Sequence, residues 1–246
     1  RAADDVMILG LKLPANDRLQ FLAGQYIDFL LNGAERRRFS MANAAHADEL
    51  IELHVRQVAG GTFTDHLFSN MKGRDILRLE GPLGSFFLRE ESAKSIVFVA
   101  SGTGFAPIKS ILETAFYKKV ERPMVLYWGA RRPKDLYLGS LAEKWAREQP
   151  NFRYVPVISE ARPEDDWSGR GGFVHRAVME DLPDLSGHQV YACGVPIMVD
   201  SARKDFIAQC QLPEDEFYAD SFTTAADLAA DEIKVGGQAG LGRQMV

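Results

Sequence analysis

The chain has 246 residues, 46% of them apolar and 26% charged, enough to bury a core in one or two domains. A formal net charge of −5 argues against nucleic acid as the main partner, and no apolar run approaches the ~20 residues of a membrane-spanning helix. Two cysteines, Cys193 and Cys210, are too few for a disulfide scaffold, a four-thiolate iron–sulfur cluster or an all-cysteine zinc site, and they suit the reducing cytoplasm.

The first ninety residues read as β-structure. Val6–Leu13, Tyr26–Leu31, Leu50–Val58 and Ile76–Glu80 are rich in β-branched and aromatic residues, with Gly, Asn and Pro between them. Such short strands suggest a barrel or sandwich; one helical stretch, from about Thr64 to Met71, interrupts them. The chain opens almost inside its first strand, without an initiator Met or a secretory leader pattern, which suggests a fragment of a longer protein. From Ser95 the pattern changes. Ile96–Ala100 is a continuous apolar run, as in a strand buried on both faces. It meets a Gly-rich turn, Ser101–Pro107, and then a helix with Ile108, Ile111, Leu112, Ala115 and Phe116 on one side. Strands at Val125–Trp128, Phe152–Ile158 and Val190–Cys193 alternate with helices at Leu141–Arg147, Val174–Asp181 and Pro196–Gln209, which implies a parallel, doubly wound sheet. The expected domains are residues 1–92 and 93–223, with 224–246, small and polar, as a flexible tail.

Four motifs carry chemistry, each with a plain alternative. At Ser101–Pro107 free N–H groups and the helix dipole point at an anion, and Gly102 and Gly104 admit a phosphate close to the backbone. Pro107 stands where the dinucleotide fingerprint has its third Gly, so the segment serves equally as a tight strand-to-helix turn. Arg37-Arg38-Phe39-Ser40 offers a phosphate fork, a flat aromatic and a hydroxyl, as a flavin needs; otherwise it is a solvated basic run. Gly60-Gly61-Thr62-Phe63-Thr64 forms an anion nest or simply caps a helix. Cys193 lies where a strand ends, at the ligand edge of a doubly wound sheet, or is a small buried apolar residue; Cys210 has only the second reading. The five histidines have no metal-ligand spacing and there is no G-x-S-x-G elbow, so neither a metal site nor serine-hydrolase chemistry is expected.

The order of the motifs says more than any one of them. Gly24-Gln25-Tyr26, Arg37–Ser40, His54-Val55-Arg56, Gly60–Thr64, Gly81-Pro82-Leu83-Gly84, Gly102–Pro107, Tyr127–Arg131, Cys193–Pro196 and Asp220-Ser221-Phe222 follow one another over roughly Val6 to Phe222. In that order they resemble the ferredoxin–NADP reductase superfamily. Within it the chain is most similar to bacterial iron–sulfur flavoprotein reductases of the CDP-6-deoxy-3,4-glucoseen reductase and aromatic-oxygenase reductase type. The resemblance implies an antiparallel flavin-binding β-barrel followed by a Rossmann-like α/β NAD(P)-binding domain. It implies an oxidoreductase that takes hydride from NAD(P)H onto FAD, with FMN as second choice, and passes single electrons to an iron–sulfur acceptor. That acceptor is expected as a [2Fe–2S] ferredoxin domain upstream of Arg1 or as a separate protein.

The resemblance also assigns roles. Arg37 is expected on the flavin phosphates, Phe39 (Tyr in many members) against the ring, and Ser40 facing flavin N5. His54, Val55 and Arg56 touch the flavin through their backbone, and Gly60, Gly61, Thr62 and Thr64 form the pyrophosphate-binding helix start. Gly102, Thr103, Gly104 and Pro107 form the nicotinamide dinucleotide turn; Gly129, Arg131, Ser159 and Glu160 lie along the same nucleotide. Cys193 and Gly194 sit beside nicotinamide C4, and Phe222 covers the flavin face. Ser40, Cys193 and Phe222 are the expected catalytic set. NADP-specific members often have a Ser-Arg pair where this chain has Ser159-Glu160, and a carboxylate repels a 2′-phosphate, so NADH is favoured. Arg131, Arg132 and Arg162 lie close enough in sequence to hold such a phosphate instead. The alternatives are an NADPH:ferredoxin/flavodoxin reductase, a flavohaemoglobin-type reductase module and a non-enzymatic flavin- or nucleotide-binding module.

Overall fold

The structure, a computed structural model, describes residues 1–14, 17–31, 35–58 and 60–222. The segment 224–246 read as a tail lies outside the described residues.

The first half is antiparallel. Its strands are β1 (Val6–Leu11), β2 (Tyr26–Leu30), β3 (Arg36–Ser40), β4 (Ile51–Arg56) and β5 (Leu79–Leu83). β1 pairs with β4, and β2 lies between β3 and β5. A bridge between Met41 and Leu53 stitches the two sheets together just beyond Ser40. Ile27, Phe29, Leu53 and Val55 fill the space between them, and helix α1 (Thr62–Ser69) adds Phe63 and Leu67. Strand alternation places Ile51, Leu53 and Val55 in this core. Glu52 and His54 therefore point the other way, toward the second half.

Ile76 is the clearest departure from the sequence expectation: it is 95% exposed and outside any strand, and β5 begins only at Leu79. Its local alternation finds no partner strand to pair with, and pairing, rather than propensity, decides where a strand forms. β3 escapes an apolar pattern because Arg36 and Arg38 hold its solvent-facing positions.

The second half is a six-stranded parallel sheet in the order β11-β10-β6-β7-β8-β9. Its strands are β6 (Ser95–Ser101), β7 (Met124–Ala130), β8 (Phe152–Ile158), β9 (Arg170–Gly171), β10 (His188–Gly194) and β11 (Phe217–Ser221). Helices α2 (Phe105–Tyr117) and α3 (Gly139–Glu148) cover one face; α4 (Val174–Asp181) and α5 (Pro196–Gln209) cover the other. β6 shows why its sequence is apolar throughout: Ile96, Phe98 and Ala100 face α2 and α3, while Val97 and Val99 face α4 and α5. The chain winds outward from β6 in one direction through β7, β8 and β9, and in the other through β10 and β11. The reversal leaves a crevice at the carboxyl ends of β6 and β10, the position where such sheets bind ligands.

Candidate active site

A cleft of about 1480 Å³ opens between the two halves at that crevice. One wall carries Arg37, Phe39, Ser40, Arg56, Gly61 and Thr64; the other carries Gly102, Thr103, Arg131, Glu160 and Phe222. His54, Gly129 and Ser159 also reach it. Other expected site residues stand behind the walls. Val55 is buried in the first core, Pro107 is buried at the start of α2, and Thr62 opens α1. Gly60 is exposed at the turn before α1. Cys193 is wholly buried, and burial pushes its thiol well above the usual range, so it is a protonated packing group and not a thiolate.

The second wall depends on close backbone approach. A Cβ built on Gly104 would overlap the Cys193 carbonyl and lie 2.8 Å from Gly194 Cα. Gly102 has φ +53, in the left-handed region that favours glycine. Trp128 Nε1 donates to Gly102 O at 3.0 Å, and the Val195 N–H donates to Ser101 Oγ at 3.1 Å, so the turn is braced from β7 and from the end of β10.

The first wall supplies cations and a ring surface. The Arg37 guanidinium pairs with Glu35 and donates to Arg36 O. Phe39 rests on Phe29 and Phe63, with ring centroids 5.6 Å away in each case. Thr64 Oγ1 turns inward to Gly61 O at 3.1 Å and Val58 O at 3.2 Å, so its hydroxyl organises the turn that presents the N-terminus of α1. Arg56 Nε is buried and donates no hydrogen bond among the described residues, although Asp5 Oδ2 lies 3.2 Å away out of line. Its guanidinium sits 2.9 Å from where a side chain on Gly102 would begin. A partly exposed guanidinium, ion-paired with Asp5 and facing a glycine turn at the start of a helix, fits a nucleotide phosphate.

Next to the cleft, Ser40 Oγ donates across the two halves to Asp220 Oδ2 at 3.2 Å. Burial raises the Asp220 pKa, against the hydrogen bond from Ser40 and the Arg38 charge. Asp220 is a candidate site residue that the sequence quotes only as part of Asp220-Ser221-Phe222, without a role. Its only signal is an acid at the end of the apolar strand Phe217–Ala219, one position before Ser221-Phe222. Beside it, the Phe222 N–H donates to Gly194 O at 2.8 Å, and the ring packs on the core patch that holds Cys193 and Phe105.

At the far end of the second wall, Arg131 lies 3.8 Å from Glu160, both well exposed. Arg132 is committed elsewhere, to Asp165 at 2.5–2.6 Å and Glu164 at 3.3 Å. Among the described residues no group of acids, histidines and cysteines is arranged to hold a metal ion, and no helix is long and apolar enough to cross a membrane.

Comparison with known proteins agrees with this geometry. Residues 1–88 match the family described as oxidoreductase FAD-binding domain, and residues 98–204 the oxidoreductase NAD-binding domain. The chain is 47% identical over 219 residues to CDP-6-deoxy-L-threo-D-glycero-4-hexulose-3-dehydrase reductase of Yersinia pestis, covering 89% of this chain and 65% of that protein. It is 42% identical over 225 residues to reductase component 2 of terephthalate 1,2-dioxygenase from Comamonas sp, covering 91% of this chain and 66% of that one. The chain thus spans a little under two thirds of these curated relatives. Among solved structures, a cytochrome P450 reductase from Amycolatopsis superposes with a TM-score of 0.83 at 37% identity, over 91% of this chain and 67% of that one. With both domain matches in order along one chain, and a cleft between the two halves, the protein belongs to the oxidoreductases that join an FAD-binding to an NAD-binding domain.

Proposed function

We propose that the chain is the flavin and nicotinamide module of an NADH-dependent reductase that loads FAD with hydride and hands electrons singly to an iron–sulfur acceptor. The cleft carries this reading, because Ser40 and its flavin-sized wall face the Gly102–Gly104 turn and Phe222 across it. Residues 1–92 form the FAD unit and 93–223 the NAD(P)H unit. Bound FAD, in preference to FMN, supplies two-electron acceptance and one-electron release.

The chain's own residues bind and position. Arg37 exchanges Glu35 for a flavin phosphate, and the start of α1, with Gly60, Gly61, Thr62 and Thr64, offers its N–H groups to the pyrophosphate. Phe39, held by Phe29 and Phe63, packs against the ring system. His54, Val55 and Arg56 present their backbone, and the Arg56 guanidinium would exchange Asp5 for a phosphate. On the other wall Gly102, Thr103 and Gly104 receive the nicotinamide dinucleotide at the head of α2, whose first turn Pro107 stiffens. Gly129, Arg131, Ser159 and Glu160 line its adenosine end. Phe222 yields its place to the nicotinamide, while Cys193 and Gly194 back that place from behind. Ser40 Oγ and Asp220 Oδ2 would share a proton beside the ring that Phe39 would pack against.

NADH is preferred because Glu160 stands at the ribose end and Arg132 is already occupied by Asp165 and Glu164. The acceptor is a [2Fe–2S] ferredoxin domain or a separate iron–sulfur protein. The two named relatives are themselves reductases, one of them a dioxygenase component. A cytoplasmic location is supported by two free, buried thiols. The deciding experiment identifies the bound pigment by chromatography and titrates the yellow chain anaerobically with NADH. Bleaching of the flavin bands, followed by recolouring on addition of an oxidised [2Fe–2S] protein, is expected. Bands that NADH leaves unchanged refute the reading.

A further inference from the structure

We infer that Lys109 is a positioning residue: its buried ammonium clamps helix α2 onto the loop that follows Ser40 and so sets the spacing of the two cleft walls. On α2, Lys109, Ser110, Glu113 and Thr114 fall on one side of the helix. Three of them bond directly to the first half. Lys109 Nζ donates to Ala42 O at 3.1 Å and lies 3.1 Å from Glu52 Oε1. Ser110 Oγ donates to Asn43 O at 2.7 Å, and the Ala45 N–H donates to Thr114 Oγ1 at 3.0 Å. Glu113, from the same helix, supplies the third acceptor for Lys109 at 2.9 Å. Two of the ammonium's N–H donors are thus hydrogen-bonded, and the Glu52 carboxylate adds an ion pair at 3.1 Å.

The seam extends beyond Lys109. Burial lowers the His54 pKa, so its ring is neutral, and Nε2–H donates to Glu52 at 3.0 Å while Nδ1 accepts from Tyr137 Oη at 2.7 Å. The His54 bond and the Lys109 charge, against desolvation, pull the Glu52 carboxyl down to about 2. A polar relay therefore leaves the second half at Tyr137, passes through His54 and Glu52 of the first half, and returns through Lys109 to Glu113.

Its position gives the relay a function. Ala42 is two residues beyond Ser40, and Lys109 is five beyond Gly104. Five residues of helix are a rigid arm of about 7.5 Å. The ammonium thus fastens together, at short range, the two segments that present the flavin wall and the nicotinamide wall. A buried ammonium held by two hydrogen bonds and one ion pair favours the one register in which all three acceptors meet it. A misplacement of about 1 Å between reacting rings lowers a rate by on the order of a hundredfold.

This inference rests on the function proposed above, and its test separates the two. Lys109→Met and Lys109→Arg are compared with the parent chain, FAD-loaded, by anaerobic stopped-flow with NADH. Flavin reduction at saturating NADH is expected to slow at least tenfold in Lys109→Met. Flavin retention and half-saturation by NADH stay within about twofold, and Lys109→Arg recovers most of the rate. A second arm uses the flavin-free chain: amide exchange is expected to quicken at residues 41–45 and at the start of α2 and to hold steady in β7. If Lys109→Met does not fold, Ser110→Ala is read in the same two assays, with about a threefold or greater slowing expected for the loss of one hydrogen bond. A parent chain that NADH fails to bleach overturns the functional reading. A bleaching parent beside a variant of unchanged rate, or exchange that quickens uniformly, overturns the clamp.

Discussion

Replacing Gly104 by Ala tests how closely the nicotinamide turn is packed against β10. Gly104 has φ −58 and ψ −13, which any L-residue adopts, so the backbone itself accepts alanine. The added methyl is the whole perturbation. It would lie 2.8 Å from Gly194 Cα and overlap the Cys193 carbonyl, where an ordinary carbon contact is about 3.5–4.0 Å. Neither neighbour is a flexible side chain, so the turn must move away from β10 by about 1 Å. Overpacking of that kind costs about 1–3 kcal/mol. For a chain of this size, that lowers the melting temperature by roughly 2–12 °C. Because the displaced atoms are the nicotinamide wall, flavin reduction by NADH should fall by up to about a hundredfold, while the first half keeps its pigment. Gly10→Ala is the control, since a Cβ there meets nothing within 4 Å. Differential scanning fluorimetry and anaerobic stopped-flow give both numbers. If Gly104→Ala matches the parent in melting temperature and in NADH saturation, the close approach of turn and strand does not hold the site together.

Ser40→Ala removes the hydroxyl shared with Asp220; flavin should stay bound while its reduction slows about ten- to a hundredfold, as loss of one ~1–3 kcal/mol bond implies, and a wild-type stopped-flow rate would rule that role out. Arg37→Ala should purify with much less flavin, read from the ratio of visible to protein absorbance, and a fully yellow variant counts against the phosphate assignment. Glu160→Gln should narrow the NADH preference by about fivefold in kcat/KM, the size of one ~1 kcal/mol charge repulsion in water; an unchanged ratio places the ribose elsewhere. Acid should weaken the fold in two stages. Neutral buried His54 resists the proton that it takes below 6.5 when unfolded, so stability begins to decline there. Glu52, held near 2 against its ordinary 4.5, contributes on the order of 3 kcal/mol that is present above 4.5 and lost as the pH falls toward 2. Melting temperatures from pH 8 to 3 check this, and His54→Gln should flatten the upper stage; a profile flat from 7 to 4 in the parent refutes it.

Much of this architecture is written locally in the chain. The doubly apolar run of β6 announces a strand covered on both faces, and the glycine turn after it announces the start of α2, because both depend on near neighbours. Motif order singles out Ser40 and Phe222, and both line the cleft. What stayed hidden depends on distant partners. Asp220 resembles any acid at a strand end until Ser40 comes within 3.2 Å of it. Lys109 resembles a solvated helix lysine until Ala42 and Glu52 close over it. Tyr137 sits in a connection with no periodicity to read, and Ile76 misleads because alternation alone cannot say whether a neighbouring strand exists. β9, two residues long, is too short to leave a pattern.

The contact between Ser40 and Asp220 joins positions 180 residues apart, and Asp220 lies on β11, an edge strand held only by β10. The oxidoreductase chamber is consequently assembled by the last described strand to leave the ribosome. A nascent chain halted at Leu212 carries β1 to β10 yet lacks the carboxylate that Ser40 meets.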